Sequence, residues 1–232
     1  MSYKINSNKE NLIAHVQNAF NKSDKNKSKL SKEILEIEGM CGLKTRHLYN
    51  NICNLKGSNY LEVGTWKGAS FVSAIFENDI NSLAIDNWSE FDKYSLNGET
   101  VEFNSKYAFN KNVNKFCSNN KFNFIEKDSF SIKKEDLTFD SIDIYLYDGA
   151  HDYESHKKAI THYSKFLSKL SIIIIDDWRN DSGWDKVQRG TFDGFLESDL
   201  IIHYKIERES KQEDNGKNEY WNGVGVFICE KK

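Results

Sequence analysis

Four consecutive isoleucines, Ile172 to Ile175, followed at once by Asp176 and Asp177, constrain this chain more than any other feature. A short apolar run with no alternation between faces fits a strand covered on both sides, and such strands belong to parallel sheets walled by helices. Further short apolar runs at 60–63, 82–85, 122–125, 142–147, 201–204 and 224–228 bring the expected strands to seven. Between the fourth and fifth runs, Tyr153, His156, Ile160, Tyr163, Leu167 and Leu170 step by three and four, which predicts one long helix with a stripe against the sheet. Right-handed crossovers then give an α/β, doubly wound, Rossmann-like sheet, seven-stranded and mostly parallel. Only polar, glycine-bearing residues separate the last two runs, so these form an antiparallel edge hairpin.

At 232 residues one domain is expected, with an N-terminal helical extension over 1–55 and a core over 56–232. In the extension, Leu12, Val16 and Phe20 mark one face of a helix from about 8 to 21. Residues 22–31 are almost all Lys, Ser, Asn and Asp, a composition that predicts a mobile connection. The net charge of -3 leaves no basic footprint for nucleic acid. Four scattered cysteines without a CxxC pair suggest reduced thiols rather than zinc or a disulfide framework. No signal-type stretch or membrane-length apolar run is visible, so a cytoplasmic protein with no membrane partner is expected, and a homo-oligomer is allowed.

In open α/β sheets ligands bind beyond the carboxyl ends of the strands, which directs attention to the residues after each run. After the first comes Glu62-Val63-Gly64-Thr65-Trp66-Lys67-Gly68-Ala69-Ser70. Its glycines allow a tight turn and close ligand approach, but Trp66 stands where a dinucleotide loop has its second glycine. The second run ends in Asp86, placed to take the hydroxyls of a ribose. The third is followed by Asp128-Ser129, the fourth by Asp148-Gly149-Ala150-His151, and the fifth by the Asp176-Asp177 pair.

From about 38 to 228 the chain resembles the class I S-adenosylmethionine-dependent methyltransferases. The Glu62 to Ser70 loop is similar to that of the catechol O-methyltransferase-like branch, and the Asp148 block to bacterial O-methyltransferases of natural-product sugars. The resemblance implies S-adenosylmethionine contacts at Glu62, Gly64, Thr65, Gly68, Ser70, Asp86, Asp128, Ser129 and Asp148. It further implies magnesium held by Asp148, Asp176 and Asp177, with His151 as general base. The catechol enzymes have Lys at that base position and Asn at the third ligand position, so a catechol acceptor does not carry over. The expected activity is methyl transfer to a hydroxyl of a small molecule, such as a sugar or polyhydroxylated natural product.

Asp148, Asp176 and Asp177 could instead cap helices, and His156 and His162 read as structural. Trp88, Phe91 and Tyr94 could wall the adenine or form an aromatic cluster under a loop. For the acceptor, the candidate walls are residues 38–42 and 178–192, with Trp184, Arg189 and Trp221. Competing functions are a nicotinamide-dependent oxidoreductase, which Trp66 disfavours, a non-catalytic S-adenosylmethionine-binding module, and a metal-free methyltransferase acting on nitrogen or carbon. The sequence has no proline, so it cannot form the Asn/Asp-Pro-Pro-aromatic turn of methyltransferases that act on exocyclic amines of bases.

Overall fold

The computed structural model describes residues 8–89, 93–96, 99–102, 104–178, 185–209 and 217–232. Helices α1 (Lys9–Ser23), α2 (Lys32–Leu35) and α3 (Leu43–Ile52) lead into β1 (Asn59–Val63), α4 (Ala69–Ile75) and β2 (Asn81–Asp86). A small hairpin, β3 (Lys93–Leu96) and β4 (Glu99–Glu102), precedes α5 (Ser105–Phe116), β5 (Lys121–Glu126) and β6 (Ile142–Tyr147). The chain closes with α6 (Tyr153–Tyr163), β7 (Leu167–Asp176), α7 (Asp185–Leu196), β8 (Leu200–Arg208) and β9 (Val224–Lys231).

All seven expected strands join one sheet in the order β5-β2-β1-β6-β7-β9-β8. The first five run parallel, and β9 lies antiparallel between β7 and β8 as the edge hairpin requires. The isoleucine run explains itself in this setting. Ile172 and Ile174 enter the apolar layer that α1, α3 and α4 complete, while Ile173 and Ile175 enter the layer under α6 and α7. Both faces of β7 are core, so nothing selects alternation. Glycines let α7 lie close on α6: a Cβ on Gly190 would fall 2.3 Å from the Tyr153 carbonyl oxygen.

Two expectations are corrected. The helix begun at Tyr153 ends at Tyr163; after a 3-10 turn at Ser164–Phe166, Leu167 and Leu170 belong to β7 and pair with Ile142 and Glu230. Ladder bonds to two neighbouring strands there prevail over the helical spacing. Residues 22–31, expected to be mobile, begin inside α1 and are then pinned by single side chains. Lys29 Nζ donates to Asn54 Oδ1, the Glu77 carbonyl and Asn78 Oδ1 at 2.9, 2.8 and 2.7 Å, and Ser28 bonds His47 at 2.7 Å.

The first helix matches its expectation: Asn8 caps it, and Leu12, Val16 and Phe20 are buried. Its end is stitched to the last hairpin. Tyr220 donates to Asp24 at 2.7 Å and shares a 2.7 Å bond with Ser23, and Arg208 reaches Asp24 at 3.0 Å. All four cysteines are free and buried.

Candidate active site

The strand order places acids and one glycine turn in a row along the carboxyl edge: Asp128 beyond β5, Asp86 at the end of β2, Gly64 beyond β1, Asp148 beyond β6, and Asp176-Asp177 at the end of β7. At ~4.8 Å between neighbouring strands the row spans roughly 19 Å. The chain reverses its winding between β1 and β6, the switch point where open sheets leave a crevice. Gly64 and Asp148 meet there. Gly64 has φ +85, and a Cβ on it would lie 2.0 Å from the Asp148 carbonyl oxygen, so only glycine fits.

The loop after β1 is held by Asp86. Its Oδ2 accepts from the backbone amides of Thr65 and Trp66, both at 2.8 Å, and its Oδ1 from that of Trp88 at 2.7 Å. Trp88 returns the contact by donating from its indole to the Trp66 carbonyl at 2.9 Å. Three non-glycine residues at these strand ends hold left-handed backbone: Trp66 (φ 42), Trp88 (φ 47) and Asp177 (φ 53). For bulky side chains this conformation is strained, and strain of this kind concentrates at functional sites.

Glu62 lies behind the loop, fully buried. Ser70 donates to its Oε1 at 2.6 Å and Tyr60 to its Oε2, so both oxygens are engaged inside the protein. Burial pushes its carboxyl up to about 8, against the pull of the Ser70 and Tyr60 hydrogen bonds. An acid whose folded pKa is raised keeps a proton that the unfolded chain releases, so its contribution to stability falls as pH rises from about 4.5 to 8. Glu62→Gln removes this titration. Thermal melts across pH 5 to 9 are expected to show the variant gaining on the parent as pH rises, and parallel profiles would refute the assignment.

Thr65 is buried with its hydroxyl unpartnered, and Gly68, at φ +82, starts α4. Asp128 caps the turn below β5, accepting from the Phe130 and Ser131 amides at 2.9 and 3.1 Å, while the Ser129 carbonyl accepts from Tyr163 at 2.6 Å. Capping therefore explains part of Asp128. It does not explain Asp148, because Asp152 caps α6.

Asp148, His151 and Asp177 each bring one ligand atom within 4.8 Å of the others, a set able to hold a metal ion. His151 Nε2 stands 2.6 Å from Asp177 Oδ2 and 3.9 Å from Asp148 Oδ1. Burial lowers the pKa of His151, but the two carboxylates outweigh it and raise the imidazole to about 10. The site thus holds a cationic imidazolium between two acids. Asp176 falls outside that set; it is 4% exposed, and burial followed by the charges of Asp148 and Asp177 drives its carboxyl well above the usual range.

Sequence reasoning missed Tyr49. It is fully buried on α3, where every residue from Thr45 to Ile52 is buried, so no amphipathic stripe singled it out. His156 and His162 are structural, as read: His156 is 1% exposed beside Thr191, and His162 bonds the Ile132 carbonyl at 3.0 Å.

Of the expected acceptor walls, Trp178 is core, fully buried against Phe192 and Phe227 with its indole on Glu207. Arg189 is exposed and paired with Asp185. Trp221 is half-buried beside the β8–β9 connection, and residues 38–42 pack on the start of α4, where Gly39 meets Ala69. Trp88 joins Phe109 and Phe124 in an aromatic cluster. Phe91 and Trp184 lie outside the described residues, and of Tyr94 only the backbone is described.

A family profile described as a methyltransferase domain matches residues 61–178, just over half of the chain. No curated protein matches the sequence. Among solved structures, TrmN from Thermus thermophilus is similar at 10% identity and TM-score 0.55, over 86% of this chain and 52% of that one. This chain thus spans about half of that protein. The O-methyltransferase from Bacillus cereus, solved with S-adenosylhomocysteine, is similar at 14% identity and TM-score 0.51, over 97% and 92% of the two chains. A candidate RNA methyltransferase from Pyrococcus horikoshii follows at 12% identity and TM-score 0.51, over 94% and 98%. At these identities the likeness is one of fold.

Proposed function

The chain belongs to the methyltransferase domain family, and on that premise we propose that it transfers a methyl group from S-adenosylmethionine to a hydroxyl of a small molecule. The observation that carries this reading is the row of acids at four of five adjacent strand ends, with the glycine turn of Gly64 at the fifth. A row of roughly 19 Å suits an extended ligand with a base, a ribose and an amino-acid tail. In this reading the adenine lies at Asp128 and Ser129, the ribose at Asp86, and the methionine end at Gly64, Thr65, Gly68 and Ser70, beside Asp148. Glu62 acts from behind, by fixing Ser70 and β1.

Asp86 already accepts three amide bonds, and a carboxylate has about four lone-pair sites, so it offers a ribose hydroxyl one further acceptor position. The net charge of -3 favours a small acceptor over RNA. Among the described residues no helix is long and apolar enough to cross a membrane.

The donor set also fits a divalent cation. Asp148 and Asp177 would hold it, since two facing acids now balanced by an imidazolium call for positive charge. Asp176, outside that set, is proposed as the third carboxylate on the resemblance alone. When bound, such an ion lowers the pKa of a hydroxyl that it contacts. His151 serves as base only once another cation answers the charge of its two carboxylates, because they now hold its proton tightly. Isothermal titration is expected to show S-adenosylhomocysteine binding in the micromolar range. An absence of heat at millimolar concentration would overturn the donor assignment.

A further inference from the structure

We propose that Arg46 receives the carboxylate of the donor's amino-acid tail. The inference rests on the proposed reading of the strand ends and deepens it, by naming the cation which that tail meets. Arg46 lies on α3 and is 4% exposed. Its Nε donates to the Cys41 carbonyl at 3.0 Å, and its Nη1 to the carbonyls of Ile34 and Leu35 at 3.2 and 3.3 Å. All three acceptors are neutral. Among the described residues Arg46 forms no ion pair, and its Nη2 makes no hydrogen bond. A guanidinium cannot shed its charge and buried charges are ordinarily paired, so this one lacks an anion.

The open edge of the guanidinium faces the proposed methionine end. A Cβ built on Gly39 would fall 3.4 Å from Arg46 Nη2 and 2.4 Å from Ala69 Cβ, so the guanidinium, the 38–42 segment and the first residue of α4 meet at one point. Ala69 stands between Gly68 and Ser70, both in the loop assigned to that end of the donor. Charge supplies a second argument. The amino-acid tail of S-adenosylmethionine carries an ammonium and a carboxylate, and acids at four strand ends suit the first and repel the second. Lys67, Lys106 and His151 also stand near the row, but each is engaged by an acid, Glu38, Glu126 and Asp177 in turn, at 2.6, 2.5 and 2.6 Å. Arg46 has no such partner, and its planar fork matches a carboxylate.

The test removes the two halves of the contact in turn. One ligand is S-adenosylhomocysteine, and the other is its decarboxylated counterpart, in which a thiopropylamine replaces the homocysteine. By isothermal titration the parent is expected to bind the first at least about tenfold more tightly, the worth of one hydrogen-bonded charge pair. Arg46→Gln is expected to lose about that factor for S-adenosylhomocysteine and to stay within about twofold for the decarboxylated ligand, so the preference disappears. Arg46→Lys, which keeps the charge without the fork, is expected to keep part of it. An arginine that only clamps three carbonyls would weaken both ligands alike when replaced.

Equal binding of the two ligands by the parent, or equal losses for both in Arg46→Gln, would therefore overturn the assignment. If Arg46→Gln does not fold, the parent decides by nuclear magnetic resonance. The Arg46 Nε resonance is expected to move with S-adenosylhomocysteine and to stay in place with the decarboxylated ligand, and an equal response to both overturns the assignment. A parent that binds neither ligand overturns the donor reading and this inference with it, whereas tight binding without a preference for the carboxylate overturns the role of Arg46 alone.

Discussion

Gly64→Ala is expected to destabilise the protein by about 2 to 5 kcal/mol, combining a left-handed backbone penalty with the overpacking of a site that cannot open. The obstacle is the Asp148 carbonyl oxygen, 2.0 Å from the new Cβ, and as backbone it cannot rotate away. For a domain of this size that corresponds to a fall in melting temperature on the order of 10 °C. Gly57 supplies the comparison, since it is also left-handed (φ +78) but a Cβ there would meet nothing within 4 Å. Gly57→Ala should therefore show only the conformational part, about 1 to 2 kcal/mol. Circular dichroism melts of the two variants decide the matter, and equal losses would mean that contact between the β1 loop and Asp148 is not what fixes Gly64.

The second large effect is expected at Asp177. Asparagine tolerates the left-handed backbone that Asp177 holds (φ 53), so Asp177→Asn removes charge without disturbing the turn. The imidazole of His151, held at about 10 by Asp148 and Asp177, then loses its nearer anion, 2.6 Å away. Its pKa is expected to drop by at least about one unit, read from the His151 resonance in a nuclear magnetic resonance titration. The sign for stability follows. A histidine with a raised folded pKa contributes stability that is complete below about 6.5 and is lost as pH rises through about 10. The variant should therefore have a flatter stability profile above neutrality. Methyl transfer is expected to fall by about 100-fold or more if the acids and His151 act in proton removal. An unchanged His151 titration would dissolve the pair.

The strands were legible because each apolar run is long enough to span a buried sheet and is bounded by polar residues. Burial on both faces of β7 is written directly in Ile172 to Ile175. The end of α6 was not legible, since Leu167 and Leu170 continue the helical spacing and only their partners Ile142 and Glu230, remote in sequence, recruit them to a strand. Likewise Lys29 carries no local sign that its ammonium gathers three oxygens from the connections that follow α3 and α4.

At the site, the places of Asp86, Asp148 and Asp177 could be read from the strand ends. Their engagements could not. That Asp86 holds the β1 loop by its amides, and that Asp177 turns toward His151, depend on backbone angles that no residue pattern encodes.

The stitch between the end of α1 and the last hairpin bears on how this protein is made. Ser23 and Tyr220 are 197 positions apart, and Asp24 and Arg208 are 184 apart. α1 packs chiefly on α3, close to it in sequence, so most of its apolar face can be covered early, whereas its link to the last hairpin has to wait for β8 and β9. Contacts of such separation close late and slow the overall search, since loop entropy is lost before they form. The seam between α1 and the β8–β9 hairpin is thus expected to be among the last contacts to close when the protein folds.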